Sequence, residues 1–396
     1  MRPGLFLVPL AFGSKTTNAH DIRNSVYKIK LTLKIDPITD QMIKRTVLFI
    51  FFCCVCYFSY SQTQAIEYAK QGMNLFDEGK YADAIEKYKK GMLLEPTNSL
   101  FSYEIALSYF MLKDYPLSIS TLDSVMKRPD VNDQFYQLLG DDYDMAGQPD
   151  SAIKILTSGM TKFPKAANLS MEAGVVEFSR KNYDAAHNYW ISGINMNLAF
   201  AENYYHLANF YSDSSNRATS MLYAEIYLNL QSNKAQAAEV NKLICKLYNQ
   251  SIMMMADSTV KLHVSDRNTD QFSKADSAAN FCEAVNKTYY ISATKLKGKK
   301  LKPGIEAVIT VRETFIKTWF EQKYNLKFPF SLFDYEKQLL DAGHFGSYSQ
   351  WVMMKCNMAD FQIWYKEHSQ QYADFVAWYK KHPLKLQNTQ EIQYCR

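Results

Sequence analysis

The residues best suited to chemistry in this chain are few. The stretch DAGHFGSYSQW places Asp341 and His344 close to two serines, which are the residue types of a hydrolase triad. Catalytic groups meet in space and need not be neighbours in sequence, so the spacing by itself indicates a loop. A hydrolase or a glycan-binding module in this C-terminal third is the alternative hypothesis, and it requires a polar pocket around Asp341 and His344.

Metal and cofactor motifs give no positive signal. The motifs H-E-x-x-H, P-loop, G-x-G-x-x-G and G-x-S-x-G do not occur, and the chain has only 14 glycines for phosphate-binding loops. The histidines that follow residue 61 are not at ligand spacing with a cysteine or with one another; they are His187, His206, His263, His344, His368 and His382. We therefore predict no catalytic residue, no metal and no cofactor.

An apolar run near the start indicates the compartment. Lys44 and Arg45 precede an unbroken apolar stretch over residues 47–58, and the small residues Ser59 and Ser61 follow it. A short basic region, an apolar core and small residues at the end are typical of a secretory signal peptide. The run is shorter than the ~20 apolar residues of a membrane span. We therefore expect export to the periplasm or outer envelope of a bacterium.

The boundaries of this segment follow from the same pattern. We predict a signal peptide over residues 42–61, cleaved before Gln62, and interpret residues 1–41 as a mis-annotated upstream extension. Retention of the segment as a membrane anchor is the alternative. Cys53 and Cys56 have C-x-x-C spacing, but a segment that is removed does not fold into a site.

Export changes the charge balance and the expected state of the cysteines. Residues 1–61 hold eight Lys/Arg and three Asp/Glu, so the remaining chain has 37 of each and is formally neutral. We therefore expect no nucleic-acid partner. An oxidising compartment permits disulfides, but three pairings are open and buried free thiols are the alternative. The four cysteines concerned are Cys245, Cys282, Cys356 and Cys395.

A repeat of 34 residues organises the first half of the exported chain. Copies begin at residues 65, 99, 133, 167 and 201. Positions 8 and 20 of each copy are small, which allows two helices to approach closely. Position 24 is large in the first four copies and is expected to fill the space between neighbouring units. The glycine of EGKY, residues 78–81, suits a left-handed turn between the helices. The residues at position 8 are Gly72, Ala106, Gly140, Gly174 and Ala208.

This pattern resembles the tetratricopeptide repeat (TPR) family in its period and in its small and large positions. The resemblance covers residues 65–233 and implies a superhelix of helical hairpins whose concave groove binds peptides or protein surfaces. The predicted fold class is all-α: a TPR helix-turn-helix solenoid of about four to five repeats over residues 62–233, then a helical C-terminal domain. A capping helix is predicted at 234–256 and the C-terminal domain at 257–396.

In TPR proteins the groove is lined by positions 2, 5, 9 and 12 of each first helix. The resemblance therefore implies a groove that is apolar and aromatic at its start, and acidic and amide-rich in its middle. We expect a protein or peptide partner, with Asp141 and Asp144 selecting a basic or amide-bearing segment. Self-coverage of the apolar part and a solvated acidic face are the alternatives. The predicted partner-binding residues are Ile66, Met73, Phe76, Leu100, Tyr103, Leu107, Phe110, Gln134, Gln137, Asp141, Asp144, Met171 and Phe178.

The last third resembles no family that we recognise. Apolar spacing predicts helices at 237–256, near 275–291 and within 304–325, with a polar connection at 257–271. Two aromatic stripes, Phe361–Trp364–Tyr365 and Phe375–Trp378–Tyr379, each share a helical face and are expected in the core. A sugar- or peptide-binding platform is the alternative for these stripes.

Five lysines occur between Lys295 and Lys302. We interpret them as a solvated loop, with contact to anionic lipid or a polyanion as the alternative. Peripheral membrane or envelope association is therefore an open possibility, and the sequence leaves the oligomeric state open as well.

Overall fold

Helices dominate the computed structural model, which describes residues 37–213, 216–231, 235–254, 260–262, 280–301 and 304–387. The chain divides into two compact units, residues 1–101 and residues 102–396. The predicted all-α solenoid is confirmed, with one small exception near residue 252. The helices of repeat one are α1 (Pro37–Asp77) and α2 (Tyr81–Leu94), followed by α3 (Ser99–Met111), which begins repeat two.

The second unit contains the other repeats and the C-terminal region. Repeats two to five are completed by α4 (Tyr115–Asp123), α5 (Asp133–Met145), α6 (Pro149–Lys162), α7 (Ala167–Ser179), α8 (Tyr183–Met196), α9 (Glu202–Ser212) and α10 (Arg217–Gln231). The C-terminal region contains α11 (Gln236–Ser251), β1 (Ile252–Met254), β2 (Val260–Leu262), α12 (Phe281–Leu296), α13 (Ile305–Glu321), α14 (Tyr324–Lys327), α15 (Ser331–Asp341), α16 (Phe345–Met353) and α17 (Met358–Lys381).

A short antiparallel ribbon is the exception to the all-α prediction. Strand β1 pairs with β2, with Ile252 opposite Leu262. The helix predicted over 237–256 therefore ends at Ser251, because the β-branched Ile252 takes an extended conformation with φ −116° and ψ 102°. Strand β2 lies inside the stretch that was predicted to be a connection.

Helix α1 of the first unit runs through the apolar segment and into repeat one without a break. The side chains of Val47, Leu48 and Phe49 are 60–70% exposed. Among the described residues no helix is both long and apolar enough to cross a membrane. The signal peptide and its cleavage before Gln62 stay predictions. Residues 1–36, most of the predicted upstream extension, lie outside the described residues.

The turn between the two helices of a repeat is left-handed at position 15 in four copies. Glycine occupies this position at Gly79 and Gly147, with φ of 77° and 75°, which confirms the turn predicted for EGKY. In the other two copies Lys113 and Lys181 take the same conformation, with φ of 62° and 65°. The turn is therefore retained even where the residue type does not favour it.

Position 24 packs directly on position 8. An added Cβ on Gly72 would lie 2.5 Å from the Tyr88 ring, and one on Gly140 would lie 2.7 Å from the Leu156 side chain. The sequence prediction that small residues allow close approach is confirmed. The large residue at position 24 was predicted to fill the space between neighbouring repeats. It also lies against the glycine of its own repeat, a contact that was not predicted.

Serine at position 20 adds a polar contact where position 8 is alanine. The Ser118 hydroxyl donates to the Ala106 carbonyl at 2.9 Å, and the Ser220 hydroxyl donates to the Ala208 carbonyl at 2.6 Å. These bonds satisfy buried hydroxyl groups between the two helices of repeats two and five.

Neighbouring repeats meet at another glycine, at position 27. An added Cβ on Gly159 would lie 2.7 Å from Leu169, and one on Gly193 would lie 2.4 Å from Asn203, in each case position 3 of the next repeat. The 34-residue sequence pattern alone did not indicate the role of position 27.

Replacing Gly174 with alanine is expected to cost about 1–3 kcal/mol of unfolding free energy. The added Cβ would lie 2.2 Å from the Trp190 Nε1 atom, which donates to the Met171 carbonyl at 3.2 Å. The indole must move and lose that bond. Urea denaturation followed by circular dichroism measures the loss. Gly346→Ala is the matched control, because nothing lies within 4 Å of the added Cβ there, and equal stability of the two variants would contradict this packing.

The hydrophobic core does not end with the last repeat. One cluster of buried side chains extends from Ala186 in repeat four to Leu384 near the end of the chain. The Asn229 amide of α10 donates to the Tyr348 hydroxyl of α16 at 2.7 Å. The predicted domain boundaries at 234 and 257 stay predictions, and this core includes residues on both sides of them.

A disulfide between Cys245 and Cys356 joins α11 to the turn after α16, with 5.3 Å between the two Cα atoms. It is one of the pairings that the sequence left open. Cys282 is also disulfide-bonded. Cys395 lies outside the described residues.

The two aromatic stripes of α17 have different environments. Phe375 is 1% exposed and belongs to the core, as predicted. The core prediction is wrong for the other stripe, since Tyr365 is 43% exposed. The helix is kinked at His368, and this folds the Phe361 ring back to within 5.6 Å of the Tyr372 ring. The rings around the kink therefore form a local cluster.

Candidate partner-binding groove

The residues predicted to line the groove lie on the first helices of four repeats and belong to both compact units. None of them is fully buried, and which of them contact a partner stays a prediction. Ile66, Leu100 and Phe178 are the most exposed, at 39%, 38% and 44%. The half-buried ones are Met73, Phe76, Tyr103, Leu107, Phe110, Gln134, Gln137, Asp141, Asp144 and Met171.

Phenylalanine at position 12 packs edge-on against tyrosine at position 17 of the same repeat. The ring centroids are 5.0 Å apart for Phe76–Tyr81, 5.7 Å for Phe110–Tyr115 and 5.4 Å for Phe178–Tyr183. Such pairs stabilise their repeat by more than buried area alone. Polar replacement of these phenylalanines would therefore disturb folding as well as binding.

Repeat three departs from this ring pair. Its positions 12 and 17 are Asp144 and Pro149. A carboxyl group therefore takes the place of a ring, and Asp141 lies one turn before it on α5. The next first helix, α7, contacts α5 and contributes Glu172. We call Asp141, Asp144 and Glu172 the acidic cluster.

Two amide side chains connect the helices beneath the acidic cluster. The Gln137 Nε2 atom donates to the Glu172 Oε1 atom at 2.8 Å, and the Asn168 Nδ2 atom donates to the Gln137 Oε1 atom at 2.9 Å. Gln137 was predicted as a groove residue, whereas Glu172 at position 6 was not. Position 6 is not one of the groove positions of TPR proteins, so the sequence did not indicate Glu172. Its place in the acidic cluster follows only from the contact between α5 and α7.

Burial and mutual repulsion disfavour the charged forms of the acidic cluster. Burial raises the pKa of Asp141 well above its ordinary range, and the Glu172, Asp142 and Asp144 charges raise it further. Burial also raises the pKa of Glu172, and the hydrogen bond from Gln137 opposes this shift. A cation placed among these groups would relieve the repulsion.

The nearest basic side chain is already engaged. Burial raises the pKa of Asp144, and the Arg180 charge opposes that shift. Arg180 itself pairs with Asp150 at 2.9 Å and with Glu177 at 3.4 Å. Among the described residues no lysine or arginine forms an ion pair with the acidic cluster, so a basic side chain from outside the chain would fit it electrostatically.

Aromatic rings follow the acidic cluster along the solenoid. The Phe178 ring lies 5.7 Å from Trp190 and 6.4 Å from Phe210, between ring centroids. Trp190 stacks on His206 at 5.2 Å with an interplanar angle of 10°. Burial lowers the pKa of His206 to about 4, so this ring is neutral at pH 7. We call Phe178, Trp190, His206 and Phe210 the aromatic cluster.

Asp341 and His344, the residues of the alternative hydrolase hypothesis, each contact other side chains. Asp341 forms an ion pair with Lys337 at 2.5 Å, and the His344 ring lies 5.6 Å from the Trp378 ring. Within the described part of the chain no hydrogen bond or ion pair joins Asp341 to His344. In that same part, no group of three His, Cys, Asp or Glu side chains is arranged to hold a metal ion.

Comparison with known proteins gives structural similarity without a family assignment. No family model matches the chain, and no curated protein does. Among solved structures, MamA is 20% identical, with a TM-score of 0.34 over 44% of this chain and 95% of that one. Pseudomonas aeruginosa PilF is 14% identical, with a TM-score of 0.40 over 48% of this chain and 84% of that one. YrrB, a TPR protein with an unusual peptide-binding site, is 16% identical, with a TM-score of 0.33 over 47% of this chain and 97% of that one.

These scores are too low to carry an argument, and the repeat geometry carries the fold by itself. Five helical hairpins share a 34-residue period, and the left-handed turn at position 15 recurs in four of them. The chain contains an all-α solenoid of TPR type.

Proposed function

We propose that this protein is an exported adaptor without catalytic activity, which binds a protein or peptide partner in the cell envelope through the first helices of its repeats. One observation carries the proposal: among the described residues no lysine or arginine forms an ion pair with the acidic cluster, and the aromatic cluster follows it along the solenoid. The partner segment would carry a lysine or arginine near an apolar residue.

The two clusters would contribute differently to binding. A lysine or arginine of the partner would neutralise carboxylates whose charges repel one another, which favours a basic segment over a neutral one. The aromatic cluster would bury an apolar side chain of the same segment. Both surfaces lie on helices, so little ordering is needed when the partner binds.

Two features support export. The basic and apolar pattern over residues 42–61 is that of a secretory signal peptide. The Cys245–Cys356 disulfide is compatible with an oxidising compartment and would be unusual in a reducing cytosol. Determination of the N-terminus of the protein from its host tests this part of the proposal, and an N-terminus at Gln62 is expected.

Selection of peptides from a random library tests the binding site. We expect recovered peptides to be enriched in lysine or arginine beside an apolar residue. The double variant D141N/E172Q should bind them about tenfold or more weakly, because a desolvated charge pair is lost. Lower pH should also weaken binding, since the carboxylates become protonated as pH falls through their raised pKa values.

The control variant E86Q/E313Q removes the same charge away from the acidic cluster. Glu86 pairs with Lys89, and Glu313 pairs with Lys317. This variant should bind the selected peptides like the wild type. Peptides without basic enrichment, or equal losses in the two double variants, would reject the acidic cluster as the binding site.

A further inference from the structure

A second surface with a distinct chemistry lies outside the predicted groove, in the C-terminal region. Lys295, near the end of α12, forms an ion pair with Glu321 at the end of α13. Its Nζ atom also donates to the Thr318 hydroxyl at 3.1 Å. These contacts join the end of α12, from which the loop over residues 297–301 leads, to the end of α13, and α14 begins three residues after Glu321.

Both segments present lysines to solvent. Lys297, Lys299 and Lys300 of the loop are exposed, and so are Lys323 and Lys327 around α14. We call these five residues the basic surface. Two acidic side chains lie nearby. Glu321 is already paired with Lys295, and the Glu283 charge adds to the effect of burial in raising the pKa of Tyr324 on α14. In the described part of the chain, the loop lysines and Lys323 have no acidic partner.

An exposed leucine lies on the α14 segment of the basic surface. Leu326 is 75% exposed, between Lys323 and Lys327 in sequence, and the Lys327 Nζ atom lies 5.2 Å from the centre of the Phe328 ring. A large apolar side chain that is exposed between two lysines of the sequence is unfavourable in water. It suits the boundary between lipid headgroups and acyl chains, where lysines meet phosphates and the leucine leaves water.

We propose that the basic surface binds membranes that contain anionic phospholipid, with Leu326 entering the headgroup layer. The charge favours anionic over zwitterionic lipid, because juxtamembrane lysines gain energy from a negative surface potential. This binding is independent of the groove, so the protein could hold a partner while lying on a membrane.

Vesicle co-sedimentation of the protein, purified after export through a C-terminal tag, tests the proposal. One set of vesicles is phosphatidylcholine, and the other contains 30% phosphatidylglycerol. We expect binding to the second set, weakening steeply between 0.1 M and 0.5 M salt. The apolar run at residues 47–58, if retained, would bind both sets, so the difference between them reports the basic surface.

Three variants assign the effect to these residues. K297Q/K299Q/K300Q should lower the partition coefficient on phosphatidylglycerol vesicles on the order of 100-fold. L326S should lower it several-fold while the salt dependence remains. The control K154Q/K165Q/K366Q removes the same charge from exposed positions elsewhere and should bind like the wild type. Circular dichroism confirms that each variant is folded.

Two results would overturn the proposal. Equal losses in both triple variants would mean that only net charge matters. Binding to heparin through the loop lysines, with no binding to phosphatidylglycerol vesicles, would identify a soluble polyanion as the ligand. Neither result bears on the peptide site, because the acidic cluster is tested separately.

Discussion

Replacing Arg312 with methionine is expected to lower the free energy of unfolding by about 3–5 kcal/mol. Arg312 lies on α13 and is 3% exposed. Its Nη2 atom donates to Glu225 on α10 and to Glu336 on α15, the latter at 2.6 Å. Removing the guanidinium would leave two carboxyl groups in a buried site without their cation. Guanidinium denaturation at pH 7, followed by circular dichroism, measures the effect.

The surroundings of Arg312 explain why the loss should be large. The guanidinium carbon lies 5.3 Å from the centre of the Phe345 ring and 5.6 Å from that of Tyr348. Water has little access to this site, so the carboxyl groups cannot be rehydrated without moving the helices. The ion cluster of Arg312, Glu225 and Glu336 links the last solenoid repeat to the C-terminal helices. Loss of this cluster should open that junction.

The triple variant E225Q/R312M/E336Q is the matched control. Replacing a complete buried ion cluster with uncharged groups is often neutral, whereas removing one member is not. We therefore expect the triple variant to recover much of the stability that R312M loses. If R312M alone unfolds like the wild type, the cluster does not hold the junction.

The same cluster should make stability depend on pH. Burial raises the pKa of Glu336 from 4.5 to about 8, the Glu225 charge adds to the shift, and Arg312 opposes it. The folded state therefore holds a proton that the unfolded chain releases. This contribution is complete below pH 4.5 and is lost as pH rises through 8. Comparing wild type with E336Q between pH 5 and pH 9 isolates it.

Removing the Cys245–Cys356 disulfide is expected to cost about 2–5 kcal/mol of unfolding free energy. The bond closes a loop between residues 111 apart in sequence, so its loss greatly enlarges the unfolded ensemble in the chain-entropy account. The change is Cys245→Ala with Cys356→Ala, and thermal or guanidinium unfolding without reductant measures it.

Single replacements distinguish the stability that comes from the disulfide bond from the stability that comes from packing of the two sulfur atoms. Either C245A or C356A alone breaks the disulfide, so each should lose nearly as much as the double variant. Cys245 is 8% exposed and its thiol would contribute some packing in the reduced state. If the stability losses of C245A and C356A add up to the loss of the double variant, the bond is not formed. Free thiols at both positions of the denatured and alkylated wild type would show the same.

Much of the solenoid could be predicted because its determinants recur in sequence. The period, the small residue at position 8 and the turn glycine at Gly79 all follow from a local pattern. What could not be predicted depends on contacts between repeats. Gly193 is required by Asn203 of the next repeat, and Glu172 joins the acidic cluster only because α5 and α7 meet.

The C-terminal region was less predictable because its key contacts are remote in sequence. Arg312 meets Glu225 across 87 residues, and Cys245 meets Cys356 across 111. Periodicity indicated α13, whose buried face includes Trp319. No pattern in a single sequence chooses which charged residue or cysteine lies opposite another.

Helix α10 sets a limit on how this protein can change length over evolution. Every residue from Ala218 to Leu228 is buried, whereas the last helix of a solenoid ordinarily keeps a face on which one more repeat can stack. Duplication of a repeat after α10 would have to displace the helices that cover it. Gain or loss of repeats is therefore confined to the part of the solenoid before α10, and the binding surface can change its length only there.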